Sequence, residues 1–591
     1  MRIDDRMIQV SIDIYAHICA HVSARLGARR PHALFERAST QGVSTQRASP
    51  GRLLPQQRSA RGPATVLTLT AASSLVLLSA CTMGPNFHRP DVQTPTTWSN
   101  KQANEHANEQ TGQLANTTVA STVSAPGPVG IPASVPVSEP IDPLWWNSFG
   151  DPVLTALVTR AMHSNLDIQV ATARFEESRA QFRQARADAL PTLNGNASYT
   201  RELQSADGVI GLLGSSGSST ATSTNGLGGR QGGVPTQSAA SSGLPPFNLY
   251  QYGFDASWEL DLWGRVRRTA ENASATADAQ NEARHDVMVA TAAEVARDYL
   301  NLRGTQEKLR LTRENLAFAQ RTVQLTTERA QHGLATDLDV ANAQSQAEST
   351  GADIPQAEQQ EAQLINAIGV LLGEYPQALA VQLRQTSALP VTPPRIPIGL
   401  PSDLVQRRPD IRESEANLHA ATANIGAAKA DFFPKITLSG SVAIQATQFT
   451  NMGSWGARSF SAGPSLTIPI FEGGRLRATL ALREAQQQEA AINYRKTVLS
   501  AFQEVDDALT GFAAEQRRRD RLDASMQASK RALDLANQRY VRGLSNYLDV
   551  LTAQKNLLAV EQQWVDSTAT VSTDLVSLYK ALGGGWDVAA L

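Results

Sequence analysis

The sequence is poor in cysteine and in aromatic residues, and its charges are balanced. Two cysteines among 591 residues are too few for a disulfide framework or a cysteine-based zinc site. The 53 Lys+Arg and 55 Asp+Glu residues leave a formal net charge of −2, which argues against a nucleic-acid partner, because such a partner requires a basic face. Aromatic residues make up only 6%, whereas alanine and glutamine are abundant. This composition favours long, closely packed helices over large globular cores.

One hydrophobic stretch precedes the main body. Residues 64–78 are apolar or small, follow two arginines, and lead into Leu-Ser-Ala-Cys ending at Cys81. This order predicts a secretory signal, and the tetrapeptide resembles a bacterial lipobox. We interpret 58–80 as a lipoprotein signal peptide and Cys81 as the acylated first residue; the alternative is a signal peptide that ends near a cysteine by chance. Residues 1–57 are then an over-called start or a long natural leader.

The body is a tandem duplication. Two motifs near the start of the first copy recur 243 residues later in the second copy; one of them begins at Asn165 and again at Arg408. Motifs later in the first copy recur after 210 residues. The later motifs include Gly-Leu-x3-Leu-Asp-Val, which begins at Gly333 and again at Gly543. The first copy therefore carries 33 extra residues, which lie in the Gly/Ser/Thr-rich stretch 205–243 and predict a surface loop.

Both copies have the same order of elements: a helix, two strands and a long helical hairpin. Hydrophobic residues recur every seven positions from Val295 to Val323, which indicates coiled-coil packing; Arg519 interrupts the same seam in the second copy. In the first copy the expected helices are 151–188, 265–331 and a shorter one that ends at 372. In the second copy they are 409–431, 475–541 and 546–580. The expected segments are a linker 81–143, a first copy 144–372 with strand pair 190–262, an inter-copy segment 373–408, and a second copy 409–591 with strand pair 435–471.

The strands alternate strictly between apolar and polar residues. In the first strand Leu193 and Tyr199 belong to the apolar set, and Asn194 and Ser198 to the polar set. This alternation suits a transmembrane barrel, although a sheet covering a soluble core would also show it. Four strands cannot close such a barrel. A transmembrane role would therefore need a dimer of eight strands, filled by side chains, or a trimer of twelve, with room for a channel.

With these features the sequence resembles the TolC-like outer-membrane efflux channels, in particular their lipoprotein (NodT-type) branch. The lipobox, the segment around Trp145 and Trp146, the duplication and both Gly-Leu turns carry the resemblance, which covers residues 81–585. It implies a mainly α protein with a transmembrane β-barrel: a homotrimer with twelve barrel strands and an α-helical periplasmic tunnel, girdled by an equatorial region that includes 373–408. It also implies a periplasmic adaptor and an inner-membrane resistance-nodulation-division pump as partners, no cofactor and no catalytic centre. Thr82, after the cysteine, favours sorting to the outer membrane.

The resemblance also assigns roles to the two hairpin turns and to the helix after the second turn. The expected adaptor-docking residues are Gly333, Leu334, Ala335, Thr336, Gly543, Leu544 and Ser545. The expected periplasmic gate consists of Asp549, Thr552 and Lys555, of which Thr552 stands where some relatives have an aspartate. The alternatives are turns that merely cap helices and a helix face that is merely solvated.

Two other classes of protein compete with this interpretation. An enzyme is disfavoured because the sequence has no Gly-x-Ser-x-Gly, phosphate-binding loop or Gly-x-Gly-x-x-Gly, and its histidines lack zinc spacing. His17, Cys19 and His21 have no fourth ligand, so no metal is expected. A lipid-anchored periplasmic coiled-coil scaffold or adaptor without a pore is the alternative function. Drugs, solvents, metals and siderophores are all compatible with the sequence as the exported compound.

Overall fold

The computed structural model describes residues 82–91, 94–95, 98, 134–203 and 246–586. All of them belong to one compact unit. The leader, the signal peptide, Cys81 and the loop 205–243 lie outside the described residues, so the expectations for them stay predictions.

Nine helices and six strands form the described part of the chain, together with three short 3₁₀ turns at Trp145–Phe149, Phe449–Asn451 and Trp455–Ala457. The helices are α1 Pro152–Ser164, α2 Leu166–Ala187, α3 Arg265–Gln331, α4 Asp337–Leu371, α5 Ala380–Leu383, α6 Pro401–Arg407, α7 Pro409–Ala430, α8 Arg475–Val541 and α9 Tyr547–Ala581. The strands are β1 Val135–Val137, β2 Thr192–Glu202, β3 Phe247–Leu260, β4 Arg395–Pro397, β5 Lys435–Ala446 and β6 Arg458–Thr467.

The long helices repeat with equal length. Helices α3 and α8 each have 67 residues, or about 100 Å at 1.5 Å per residue, and α4 and α9 each have 35. Both 67-residue helices begin after a glycine at positive φ, Gly264 and Gly474. The predicted limits of α3 and α8 are confirmed. None of the described helices is long and apolar enough to span a membrane.

The prediction of one helix over 151–188 is wrong, because the helix breaks at Asn165. The backbone of Asn165 is extended, and its side-chain oxygen accepts the N–H groups of Asp167 and Ile168 at 2.9 and 3.0 Å. Its amide donates to the carbonyl of Leu371 at 2.7 Å. Asn165 therefore ends α1, caps α2 and ties both to the end of α4.

The strands ended earlier than predicted in two places. Strand β3 stops at Leu260 rather than at 262, and β6 stops at Thr467 rather than at 471. Pro469 has no N–H with which to extend a ladder beyond Thr467.

Strands β2, β3, β5 and β6 form an antiparallel sheet in that order. Its register aligns Ala197, Tyr252 and Ile444 in one row across three strands. Consequently one face of the sheet is mainly apolar, with Arg201, Asn248 and Arg458 as exceptions at one end, and the opposite face is mainly polar. A second, parallel pair joins β1 to β4, a feature that sequence analysis did not predict.

The main core lies where the short helices meet the middle of the long ones. Trp145 and Trp146 are buried there, and the Trp145 ring stacks on Tyr579 at 5.1 Å. Val295 and Leu302 of the predicted heptad seam are fully buried. A smaller cluster lies toward the hairpin turns, around Tyr540 and Tyr547.

The described part of the linker packs along the body. The N–H of Met83 donates to the carbonyl of Trp263 at 3.0 Å, and the Phe87 ring stacks on His419 at 4.6 Å. Trp98 is 5% exposed and donates to the carbonyl of Gly399 at 3.3 Å. These contacts fix the described residues after Cys81 to the helices below the sheet.

Candidate functional site: the hairpin turns and the amphipathic sheet

The two hairpin turns are built in the same way. In the first turn Gly333 has φ 70° and the N–H of Leu334 donates to the carbonyl of Arg329 at 2.8 Å; in the second, Gly543 has φ 74° and Leu544 donates to Arg539 at 2.8 Å. Both are Schellman motifs, in which a glycine takes the left-handed position that a side chain would strain.

The next helix begins differently after each turn. Thr336 and Asp339 form a reciprocal capping box, in which Thr336 N–H donates to Asp339 at 3.0 Å and Asp339 N–H donates back to the Thr336 hydroxyl at 3.2 Å. In the second turn Asn546 accepts the N–H of Asp549 at 3.3 Å. Ala335 and Ser545 are half-buried, and the Ser545 hydroxyl has no hydrogen-bond partner among the residues that the structure describes.

Each turn exposes a pair of leucines to solvent. Leu334 and Leu544 are both 66% exposed, and Leu338 and Leu548, one helical turn later, are similarly exposed. A leucine without a covering neighbour is a ready apolar anchor for a partner. The matching exposure follows from the duplicated turn geometry.

The two hairpins are joined near their ends by Arg329 of α3. Its guanidinium lies 4.7 Å from the Tyr540 ring centroid, and it donates to the carbonyl of Val541 at 3.3 Å. The Tyr540 and Tyr547 rings meet edge to face at 5.8 Å. Burial, followed by the nearby Tyr540 and Asp339, raises the pKa of Tyr547 to about 12.

Sequence reasoning missed this link because the duplication does not repeat it. The position of Tyr540 is held by Ala330 in the first copy. Two tyrosines seven residues apart around a turn, in helices otherwise poor in aromatics, were the available signal.

The predicted gate residues share one face of α9. Asp549, Thr552 and Lys555 are exposed, while Val550 and Leu551 face the hairpin cluster. Thr552 donates its hydroxyl proton to the carbonyl of Leu548 at 2.7 Å. Within the described part of the chain, neither Asp549 nor Lys555 forms a salt bridge. Their charges are therefore exposed on the surface of the protomer.

Aromatic residues mark both ends of the apolar sheet face. At one end the rings of Tyr199 and Tyr250 lie 4.9 Å apart, and Phe449 packs on Tyr250. At the other end Trp258 donates to the carbonyl of Ala189 at 3.0 Å, and Trp263 stacks on a neighbouring phenylalanine. Aromatic rings with one polar edge are typical of the two boundaries of a bilayer.

The opposite sheet face is hydrogen-bonded across strands. Asn194 and Asn196 both donate to Asp255, and the hydroxyls of Ser441 and Ser461 are 2.9 Å apart. Among residues 134–203, 246–586 and the described part of the linker, no group of three His, Cys, Asp or Glu residues is placed to hold a metal ion.

An antiparallel sheet with one apolar and one polar face, continued by two long helical hairpins, is typical of a class of outer-membrane channel. The sequence model of the family described as "Outer membrane efflux protein" matches residues 157–374 and 400–584, and the chain belongs to that family. The resemblance to TolC-like efflux channels is thereby confirmed, and the chain is an outer-membrane efflux channel component rather than a scaffold.

Individual relatives agree with this assignment. Outer membrane protein OprJ of Pseudomonas aeruginosa is 34% identical over 512 residues, which cover 86% of this chain and 94% of OprJ. The probable outer membrane lipoprotein SilC of Salmonella typhimurium is 31% identical over 452 residues, covering 75% and 88%. The solved structure of the outer-membrane channel OprN has a TM-score of 0.70 at 29% identity, covering 86% of this chain and 100% of OprN.

Proposed function

We propose that this chain forms a homotrimeric exit duct, anchored by lipid in the outer membrane, for molecules that an inner-membrane resistance-nodulation-division pump delivers through a periplasmic adaptor. The observation that carries the proposal is the sheet register, which collects apolar side chains on one face of all four strands. The duct itself is passive and performs no chemistry. Drugs, solvents or metal ions are all compatible cargo, since the pump selects the cargo.

The sheet dimensions fit a bilayer. From Tyr250 to Trp258 the strand rises about 27 Å at ~3.4 Å per residue, or about 21 Å along the membrane normal at a tilt of roughly 40°. Outer-membrane barrels have an apolar band of about 25 Å between their aromatic girdles. The separation of the aromatic ends thus supports a spanning sheet.

The open edges of the sheet support assembly. Strands β2 and β6 each have one neighbour, and an unpaired backbone group in lipid costs several kcal/mol. Closure therefore requires other copies. Three copies give twelve strands, which leave a water-filled interior, whereas two would give a barrel filled by its own side chains.

The lipid anchor would lie beside the sheet. Thr82, which follows Cys81, packs against Gly264, where an added Cβ would lie 3.0 Å from the Thr82 methyl group. Gly264 comes four residues after the end of β3. An acyl chain on Cys81 would therefore start at the end of the sheet that Trp258 and Trp263 mark.

The turns would serve as the periplasmic end. Leu334 and Leu544 supply apolar anchors for an adaptor, with Gly333, Ala335, Thr336, Gly543 and Ser545 shaping the turns. Around the axis of a trimer, three copies of Asp549 would form an acidic ring, with Thr552 and Lys555 one and two helical turns further. Such a ring favours cations and would hold the closed state through ion pairs with basic residues of neighbouring copies.

A pair of adjacent residues in β5 tests the membrane topology. A fluorophore on Val442→Cys, on the apolar face, is expected to be quenched by brominated acyl chains in vesicles. The same fluorophore on Ser441→Cys is expected to be quenched by aqueous iodide instead. Equal responses at both positions, or no quenching by brominated lipid at Val442→Cys, would contradict the proposal and favour a soluble sheet on a periplasmic scaffold.

A further inference from the structure

The charged residues of the four-stranded sheet are divided unequally between its two faces. The positions that carry a charge in these strands are Arg201, Glu202, Asp255, Glu259, Lys435 and Arg458. The register places Arg201 and Arg458 on the apolar face and the other four on the polar face. Within the four strands, the face that would contact lipid therefore carries positive charge alone.

Both arginines lie toward the end of the sheet that is remote from the long helices. Arg201 comes two residues after Tyr199 in β2, and Arg458 is the first residue of β6, where it pairs with Ile444. Strands β3 and β6 lead into α3 and α8 from the opposite end. Because the long helices of a spanning channel extend into the periplasm, the end with the two arginines would lie in the outer leaflet.

Arg458 is surrounded by exposed aromatic rings. Its guanidinium carbon lies 4.1 Å from the centroid of the Trp455 ring, and Trp455 is 80% exposed. Phe460, the next residue along the same face of β6, is 85% exposed. Such rings can cover acyl chains, while the guanidinium N–H groups remain available to an acidic head group. The cluster therefore offers a cation and an apolar surface to one amphiphilic molecule.

No carboxylate of the described chain neutralises either arginine. Among the residues that the structure describes, neither side chain forms a salt bridge, and the stretch 432–471 around Arg458 contains no Asp or Glu. Glu202 follows Arg201 but projects from the opposite face of β2. Asn248, the register partner of Arg201, accepts the hydroxyl of Tyr199 at 3.1 Å, which leaves its amide N–H groups as further donors. The matching negative charge would therefore come from the lipid.

We infer that Arg201 and Arg458 bind phosphate groups of a phosphorylated glycolipid in the outer leaflet, with Trp455 and Phe460 against its acyl chains. A guanidinium matches phosphate oxygens in bidentate geometry. A phosphomonoester carries a charge of about −1.5 to −2 at pH 7, which favours it over the singly charged phosphodiester of a phospholipid. The inference rests on the spanning sheet of the proposed function and names the lipid class that its outer end recognises.

Lipid binding to the detergent-purified protein tests the inference. The probe is lipid A with two phosphates, titrated onto the protein and counted by native mass spectrometry, which also shows whether each variant keeps the wild-type assembly. Arg458→Gln and Arg201→Gln are each expected to weaken binding about fivefold, the effect of one cation at an anionic lipid surface. Arg475→Gln is the matched control. The Arg475 side chain is 64% exposed and pairs with Glu472 at 2.8 Å near the opposite end of the sheet, so its loss should leave binding unchanged.

Three further probes separate the phosphate from the rest of the lipid. Lipid A without phosphates and phosphatidylglycerol are both expected to bind more weakly than the doubly phosphorylated lipid. Inorganic phosphate, added at constant ionic strength, should not displace lipid A because it makes no contact with the aromatic rings. Equal binding of either comparison lipid, displacement by inorganic phosphate, or wild-type binding in both arginine variants would overturn the inference.

The proposed function can be judged separately. Quenching of the Val442→Cys fluorophore by brominated acyl chains reports that the sheet lies in lipid, and it depends on neither arginine. If that quenching is observed while Arg458→Gln and Arg201→Gln bind lipid A as tightly as wild type, the proposed function stands and the inference fails. If the quenching is absent, the spanning sheet itself is wrong, and the inference falls with it.

Discussion

The guanidinium of Arg329 lies 4.7 Å from the Tyr540 ring centroid and thereby fastens the first helical hairpin to the second. Tyr540 is buried and Arg329 is half-buried, and Arg329 Nε has no hydrogen-bond partner among the described residues. A cation–π pair of this kind contributes about 0.5–2 kcal/mol. It therefore stabilises one arrangement of the hairpin ends without making separation prohibitive.

Removing this contact should loosen the periplasmic end of the duct. We expect Arg329→Ala to raise resting conductance in planar bilayers, because the hairpins lose a joint that holds them together. Arg313→Ala is the control: Arg313 is an exposed arginine of the same helix, paired to Glu358 at 2.7 Å and farther from the turn. Equal resting conductance in wild type and Arg329→Ala would show that the contact does not restrain the gate.

The acidic ring can be tested at Asp549. We expect Asp549→Ala to raise resting conductance, because the ion pairs that hold the closed state are lost, and to weaken cation preference, because three carboxylates leave the narrow end of the trimer. Asp337→Ala, an exposed acid in the first turn of α4, is the matched control and should change neither quantity. If reversal potentials in a salt gradient are the same for all three proteins, Asp549 does not face the conducting path.

Docking at the turns can be captured in cells. A photocrosslinking amino acid at Leu544 is expected to give a covalent adduct with a periplasmic adaptor, because this side chain is exposed at the tip of the hairpin. The same amino acid at Leu535, which is also exposed but lies on the shaft of α8, serves as the comparison. Mass spectrometry identifies the adduct; adducts of equal yield at both positions would mean that the turn is not the docking point.

Protonation of Asp574 should affect stability. Burial, followed by the charge of Glu515, raises the pKa of Asp574 to about 6 from its model-peptide range. A carboxyl with a raised folded pKa destabilises the fold when ionised, so stability should increase as pH falls from about 7 toward 4. Asp574→Asn should raise the unfolding free energy at pH 7 by roughly 1–3 kcal/mol and flatten this pH dependence. Thermal unfolding at several pH values checks this; a variant with the wild-type slope would contradict it.

The attachment of the N-terminal segment depends on a close approach of two glycines. A Cβ at Gly84 would lie 2.4 Å from the Cα of Gly426, and Gly84 has φ 94°. Gly84→Ala should therefore lower the midpoint of thermal unfolding more than Gly150→Ala, which has φ 65° but nothing within 4 Å of the added atom. Equal shifts would mean that the segment does not hold its place against α7.

Sequence patterns located the long elements because the chain marks their ends with residues of fixed geometry. Glycines precede α3 and α8 and follow them at Gly333 and Gly543, so the limits of both helices could be predicted. The break at Asn165 escaped because an asparagine in an Ala/Gln-rich run is compatible with helix. The second copy held the missing signal, since Arg408 precedes a proline at the equivalent break.

Contacts between distant segments could not be predicted in the same way. The stacking of Phe87 on His419 and the contact of Arg329 with Tyr540 join residues that are far apart in sequence and not repeated between the copies. No periodicity encodes such a contact. The choice of the turns and of the α9 face as functional came from the family resemblance rather than from local pattern.

Single-channel conductance of the purified protein in planar bilayers tests the central claim most directly. A water-filled barrel of twelve strands predicts discrete, cation-preferring current steps, larger or more frequent in Asp549→Ala and Arg329→Ala than in wild type. Bilayers that stay silent with wild type and with both gate variants would contradict the account of this chain as a conducting duct.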